Sequence, residues 1–518
     1  MQANLTRPFK AVVLGAGFGG LAAAIRLRAR GYEVTLVEAL DRPGGRGRVF
    51  KQDGFTFDAG PTILTAPFLI DELFELSGRR TQDYVRIVET KPAYRIQFQD
   101  GRVFNYEATA TAIEAEVERF DATELEAYRR FAARSEATLQ RAFVELADQP
   151  FSKFTDMIRV APDLMRLRAD QSVAKAVGSY IQNEQLRQVF SFHPLLVGGN
   201  PFSTSSIYSM IHALEKRWGV HFAMGGTGAL VDALVRLLRE MGGTVRYNSR
   251  VTEILCEQPE DIPSGALIAP NNLSRKPVVR GVRLKDGTQL EAQIVVSNGD
   301  VANTYRKLVQ ARYRSTWTDR KLERQRYSMG LFVLYFGTNR TYPNLAHHTI
   351  VLGPRYRELL ADIFDRKVLA DDFSLYLHAP TRTDPSLAPP GGECFYVLSP
   401  VPNLRGSVSW ELEKERYADA ILASLEIPSL CPDLRRHIVT RRILTPLDFE
   451  RDYDAYVGSA FQFEPILTQS AWFRPHNVSE DIHGLYFVGA GTHPGAGVPG
   501  VLCSAKVLER VLPKTQFP

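Results

Sequence analysis

The stretch Lys10-Ala11-Val12-Val13-Leu14-Gly15-Ala16-Gly17-Phe18-Gly19-Gly20, followed by residues 21–38 and closing on Glu38, decides the fold. Residues 10–14 are largely β-branched and apolar, as in a buried parallel strand. Residues 21–30 read as a helix, Gly31 breaks it, and residues 33–37 read as a second strand with Glu38 at its end. The glycines follow the pattern G-x-G-x-x-G between strand and helix, and an acid stands 18 positions after the third glycine. Each element has a physical task. Gly15 permits the tight turn, Gly17, with Gly19 beside it, lets backbone approach a diphosphate, and Gly20 lets helix and strand pack closely. The helix N-terminus supplies N–H groups and the positive end of its dipole. Glu38 is placed to accept hydrogen bonds from ribose hydroxyls. The expectation is a Rossmann-like α/β unit holding a dinucleotide; the fingerprint by itself leaves NAD and FAD open.

The surrounding composition is that of a globular protein. In 518 residues, 44% are hydrophobic and 23% charged, which excludes a disordered or fibrous chain. Lys and Arg number 63 against 58 acids, a thinly spread net charge of +5, and no finger or RNP-like pattern occurs, so nucleic acid is not an expected partner. Cys256, Cys394, Cys431 and Cys503 are scattered, with neither metal-ligand spacing nor a disulfide pattern, as in a reducing cytoplasm. No metal site is expected. The apolar run 11–25 contains four glycines and falls short of the roughly 20 residues of a bilayer span; it reads as neither signal peptide nor membrane helix.

Downstream, residues 65–77 read as a helix and 85–106 as a hairpin turning at Asp100-Gly101. Residues 110–147 and parts of 151–215 carry helical periodicity. Within them, 157–168 mixes apolar residues with three arginines, readable as a membrane-contact surface or as an ordinary amphipathic helix, and Pro162 interrupts it. Thr227 can cap a helix over 230–241. Strands follow at 244–247, 251–256 and 294–297, with a Pro/Asn/Ser-rich mobile loop at 257–277 and a hairpin at Asp286-Gly287. Residues 300–480 are dominated by strands such as 331–336, 374–379 and 395–399, which suggest an antiparallel sheet. A strand at 485–488 then runs into a second glycine loop, residues 489–500 (GAGTHPGAGVPG). A cofactor touched by both ends of the chain is a long one, which favours FAD over NAD.

Two further segments carry a family resemblance: Asp41-Arg42-Pro43-Gly44-Gly45-Arg46, and the run from Asp53-Gly54 to Asp58-Ala59-Gly60-Pro61-Thr62. With them the chain resembles the flavoprotein family of amine oxidases, protoporphyrinogen oxidase and carotenoid desaturases. The resemblance implies that Gly45 and Arg46 pack on the cofactor diphosphate, that Gly60, Pro61 and Thr62 lead to the flavin ring, and that Val251 contacts the adenine end. Gly491, Thr492 and Val498 of the closing loop complete the cofactor set it implies. The block 192–201 (FHPLLVGGNP), Val296-Ser297-Asn298, residues 346–349 (AHHT), 353–359 and 469–477 narrow the resemblance to bacterial phytoene desaturases, over about residues 10–508. This implies a Rossmann-like FAD-binding domain from 1–80, 221–300 and 481–518. It further implies a substrate domain from a hairpin at 81–110 and an antiparallel sheet at 301–480, with an inserted helical, membrane-associating region at 111–220.

The implied chemistry is FAD-dependent desaturation of phytoene, giving neurosporene or lycopene, by hydride transfer to flavin and loss of a proton from the adjacent carbon. A hydrocarbon offers no polar handle, so binding rests on apolar area, about 0.8 kcal/mol per buried CH₂. The enzyme is expected in the cytoplasm, peripheral at the membrane surface, passing electrons to a quinone or oxygen. His493 is the candidate proton acceptor, with packing or a backbone hydrogen bond as its alternative role; His193, His347 and His348 come after it. Other carotenoid-acting flavoenzymes (a hydroxycarotenoid desaturase, isomerase or ketolase), a flavin amine oxidase and a flavin-free prenyl-lipid escort protein are the competing readings. Some amine oxidases carry FAD on a cysteine ahead of the last glycine loop, whereas Cys503 follows it.

Overall fold

The computed structural model of the chain describes residues 9–258, 260 and 276–513, so most of the 257–277 segment lies outside the described residues. A five-stranded parallel sheet runs in the order Leu485–Phe487, Ile294–Ser297, Lys10–Leu14, Glu33–Val37, Thr244–Arg246. The alternation of a strand divides its residues between two cores. Val13, Leu36 and Val296 face a cluster built with the helices Phe18–Ala29, Thr227–Glu240 and Val498–Val511. Val12, Val37 and Val295 face the opposite cluster, completed by Ile254, Val279 and Val282 of a three-stranded sheet.

The second large sheet has seven strands: Ile438–Leu444, Gly330–Thr338, Glu393–Val401, Leu375–His378, His348–Val351, Tyr94–Gln97 and Val103–Tyr106. It departs from the expected antiparallel sheet in one pair, since His348–Val351 lies parallel to Tyr94–Gln97. Hairpin-linked strands must run antiparallel, but these two are joined through some 250 residues of intervening chain and are free of that constraint. The hairpin expected over 85–106 is shorter than read: only Tyr94–Gln97 and Val103–Tyr106 pair, while Ile87–Glu89 pairs with His221–Ala223.

Two local expectations are corrected. Thr227 does not cap its helix; Gly226 holds the cap position and the Asp58 carboxylate accepts the Thr227 N–H at 2.8 Å. Pro162 does not interrupt the Phe154–Arg166 helix but sits inside it. The proline removes one helical donor, to the Ile158 carbonyl, and Ile158 is 60% exposed, so water can serve that oxygen. Among the described residues no helix is long and apolar enough to cross a membrane, and all four cysteines are free.

The glycine turn carries the tightest contact between sheet and helix. A Cβ built on Gly20 would stand 2.0 Å from the Gly15 carbonyl oxygen and 3.2 Å from the Asn298 Cβ. Neither neighbour is a flexible side-chain end, so the strand-to-helix turn itself would have to move. Gly20→Ala is expected to destabilise the fold by about 1–3 kcal/mol, as overpacking does. Thermal unfolding of the purified protein followed by circular dichroism checks this, and a melting temperature equal to that of the wild type would refute the close contact.

Candidate functional site

A cavity of about 520 Å³ opens between the two large sheets. One limb is polar and built by the glycine turn. Gly15, at φ +92°, ends the first strand and donates its N–H to the Val37 carbonyl at 2.8 Å. The Phe18–Ala29 helix then starts from Gly17 with no side chain capping it. Gly44 donates to the Ala16 carbonyl at 2.8 Å, which lays the Gly44-Gly45-Arg46 turn against the glycine loop. Glu38 is buried at the strand end; one carboxylate oxygen accepts the Ala16 N–H at 2.8 Å and the other the Leu40 N–H at 2.9 Å. Burial raises its pKa and the backbone N–H groups act against that rise.

Arg46, with Arg250 also on the wall, is a cation of this limb. Its Nε has no hydrogen-bond partner, its only bond is a long one of 3.5 Å from Nη2 to the Ser459 carbonyl, and burial lowers its pKa. Among the described residues no carboxylate forms an ion pair with it, and Asp300 on the same wall acts on it only at longer range. An uncapped helix N-terminus, glycines stripped of side chains and a guanidinium with an unbonded Nε are the donor set of a diphosphate site. Glu38 and Val251 stand at the end a nucleoside would take. The residues present fit an adenine dinucleotide such as FAD.

Of the residues picked out in the sequence, Gly15, Gly17, Gly19, Glu38, Gly45, Arg46, Gly60, Pro61, Thr62, Val251 and Val498 all line the cavity. Gly20, Gly491, Thr492 and His493 stand behind its wall. Gly20 is the packing contact described above. Gly491 makes room for Gln462, whose Oε1 would lie 1.9 Å from an added Cβ, and the Thr492 hydroxyl donates to the Pro475 carbonyl at 2.6 Å. His493 stacks edge-on against Phe151, its Nε2 lies 3.4 Å from the Leu146 carbonyl, and burial pushes its pKa down to about 4.

Sequence reading passed over Asn298, although it quoted the VSN block. The Asn298 amide donates to the Gly15 carbonyl at 3.4 Å, and its Oδ1 would meet a Cβ on Gly19 at 2.5 Å and one on Gly489 at 2.6 Å. One side chain thus wedges the N-terminal glycine loop against the C-terminal one. Asp58, buried at the start of the Thr227–Glu240 helix, has its pKa pushed up to about 7 by burial against the N–H bonds from Thr227 and Gly228.

The other limb is apolar: Leu331, Tyr376, Tyr396 and Leu398 of the seven-stranded sheet face Phe143, Leu196, Ile211 and Leu214 of the helical segment. Few polar groups reach it. Thr62 and Tyr376 share a hydroxyl–hydroxyl bond of 2.7 Å, and Tyr376 also meets His348 Nδ1 at 2.7 Å. Behind Tyr376, His347, His348 and His378 bring ring nitrogens within 4.8 Å of one another; His378 went unnoticed in the sequence because cross-strand pairing places it beside His348. Burial lowers the pKa of all three, His347 to about 3. Their nitrogens are largely engaged among themselves and with Thr383 and Tyr376, and they read as a neutral hydrogen-bonded layer.

Comparison with known proteins matches this geometry. The family model of flavin-containing amine oxidoreductases covers residues 18–506. A lycopene-forming phytoene desaturase of Pseudescherichia vulneris is 51% identical over 498 residues, 96% of this chain and 97% of that protein. A neurosporene-forming phytoene desaturase of Rhodobacter capsulatus is 44% identical over 523 residues, covering 100% and 96%. Among solved structures, cyclohexylamine oxidase from Brevibacterium oxydans superposes with a TM-score of 0.59 at 14% identity, covering 97% of this chain and 98% of that one, a likeness of fold alone. On the family match and these long, high-identity alignments, the chain belongs to the flavin-containing amine oxidoreductases and, within them, groups with the bacterial phytoene desaturases.

Proposed function

We propose that the chain is an FAD-dependent phytoene desaturase that introduces successive double bonds to give neurosporene or lycopene. The observation that carries this reading is the continuity of the cavity, which joins a diphosphate and ribose cradle at one limb to an apolar limb at the other. Bound FAD would supply the two-electron acceptor. Gly15, Gly17 and Gly19 with the helix N-terminus would hold its diphosphate, Arg46 would neutralise it, and Glu38 would take the ribose hydroxyls. Gly60, Pro61 and Thr62, at the junction of the two limbs, would border the flavin ring. The apolar limb would hold the hydrocarbon by area and exclude water from the reacting carbons. The intact cradle argues against a flavin-free escort protein. His493, turned to Phe151 and Leu146, would support the closing loop rather than take a proton.

The substrate resides in lipid, and the surface offers one place to meet it. The Phe154–Arg166 helix exposes Phe154 at 55%, Ile158 at 60% and Met165 at 70%, and buries only Val160. Trp472 packs on Phe154 at 5.1 Å and Phe473 extends the apolar strip, with Lys153, Arg159 and Arg166 on the same segment. This is the pattern of an interfacial helix: apolar residues for the acyl boundary, cations for anionic headgroups. The protein would thus work in the cytoplasm, peripheral at the membrane, with a quinone or oxygen taking the electrons.

Incubating the FAD-loaded protein with phytoene-containing liposomes is expected to give a coloured polyene in the lipid extract only when FAD is present; a colourless extract from FAD-loaded protein would overturn the substrate. Arg46→Ala is expected to weaken FAD binding about 10- to 100-fold, the loss of a charge-assisted contact of about 1.5–3 kcal/mol, read by flavin fluorescence titration. Unchanged affinity would remove Arg46 from the diphosphate. The triple variant Phe154→Ser, Ile158→Ser, Met165→Ser is expected to lose most of its co-sedimentation with anionic liposomes while keeping its melting temperature. Undiminished co-sedimentation would place membrane contact elsewhere.

A further inference from the structure

Among the described residues five carboxylates reach the cavity wall, and four of them stand away from its apolar limb. Glu38 accepts two backbone N–H groups at the nucleoside end. Asp300 accepts the N–H groups of Asn303 and Tyr456. Asp454 is paired with Lys307 and Asp452 with Arg451. The fifth, Glu215, sits on the apolar limb beside Ile211 and Leu214 and is 1% exposed. Tyr94 donates its hydroxyl to Glu215 Oε1 at 2.6 Å, while Oε2, buried, has no hydrogen-bond partner. His193 Nε2 lies 3.3 Å from that oxygen, within ion-pair distance, and also meets the Tyr106 hydroxyl at 3.2 Å, so the carboxylate is tied to the polar groups behind it.

Behind Glu215 the polar groups form a chain. The Tyr106 hydroxyl also bonds His212 Nδ1, and His212 Nε2 lies 3.3 Å from the Tyr128 hydroxyl. The charged groups nearest on the Met210–Trp218 helix, Lys216 and Arg217, make no ion pair with Glu215. Toward the cavity, Tyr94 packs on His348 at 5.9 Å between ring centres, and His348 bonds Tyr376, which bonds Thr62. Glu215 is thus the one carboxylate lining the apolar limb among the described residues, and contacts through Tyr94, His348 and Tyr376 lead from it to Thr62.

We infer that Glu215 is the catalytic base of the desaturation, with Tyr94 and the His193–Tyr106–His212–Tyr128 chain positioning it; this rests on the desaturase reading above. A hydrocarbon has no atom of its own to take a proton, and the limb excludes water. Bound FAD would supply the two-electron acceptor for a hydride equivalent leaving one substrate carbon. The C–H bond on the adjacent carbon then breaks, its electron pair becomes the new π bond, and the proton goes to the Glu215 carboxylate. The hydrogen-bonded chain behind the carboxylate spreads the added charge and offers the proton a way from the limb.

The test is an anaerobic single turnover of FAD-loaded protein with phytoene liposomes, comparing wild type, Glu215→Gln and Glu215→Asp. Glu215→Gln is expected to lower the rate of flavin bleaching about 10²- to 10⁴-fold, the usual range for a general base, with KM for phytoene and the FAD affinity held; Glu215→Asp should recover part of the rate. In protein carrying ¹³C-glutamate, a protonated-carboxyl infrared band should rise with product in the wild type and be absent in Glu215→Gln, which a merely structural role would not produce. A wild type that desaturates while Glu215→Gln keeps its rate within about threefold, or a wild type without the carboxyl band, overturns the assignment. A wild type that makes no polyene overturns the substrate reading instead. If Glu215→Gln fails to fold or to hold FAD, Tyr94→Phe decides: a slowed turnover with the infrared band shifted supports the base, and an unmoved band and rate refute it.

Discussion

The structure depends on a close approach of three backbones around the Asn298 side chain. Gly15, Gly19 and Gly489 each come within 4 Å of it when given a Cβ, and they belong to the first strand–helix turn, the start of the first helix and the last glycine loop. Because no side chain stands at these points, residues some 470 positions apart in the chain can share one wall. That closure brings the uncapped N-terminus of the Phe18–Ala29 helix, Arg46 and Val498 to one cavity. Glycine is costly to order, so its use here reflects contact distance rather than flexibility.

The second constraint is the contrast between the two limbs. The polar limb presents a guanidinium whose Nε is unbonded and a helix N-terminus that no side chain caps. The apolar limb is closed by aromatic and aliphatic side chains whose few polar atoms bond one another, as in Thr62–Tyr376–His348. In a medium of low polarity an unmatched charge is expensive, so the histidine layer behind Tyr376 is kept neutral. Cofactor and hydrocarbon can then lie end to end, each in the surroundings that suit it.

Much of this was legible in the chain. The glycine fingerprint, Glu38, Gly44-Gly45-Arg46 and the 489–500 loop are local patterns, and the residues they marked nearly all reach the cavity. What escaped was set by pairing across distance. Asp58 and not Thr227 serves the N-terminus of the Thr227–Glu240 helix because a strand from elsewhere delivers the carboxylate. His378 joins His348 only through cross-strand register, and Ile87–Glu89 finds its partner at His221–Ala223 rather than in the adjoining hairpin. His493 shared a motif with lining residues yet faces away from the cavity, because sequence proximity does not fix the direction of a side chain.

By itself the sequence determined the nucleotide-binding turn, the family and the need for an apolar substrate surface, because these rest on short-range backbone conformation, on residue type and on extended similarity. Only the tertiary structure decided which residues share the cavity and which carboxylate stands on its apolar limb. Every lining acid has the same local chemistry in the chain; Glu38, Asp300, Asp452 and Asp454 are distinguished from Glu215 by the partners folding gives each, backbone N–H groups or cations for the four and Tyr94 with His193 for Glu215. The availability of a buried carboxylate depends on which hydrogen bonds it has already made, and those are fixed only when the chain has closed.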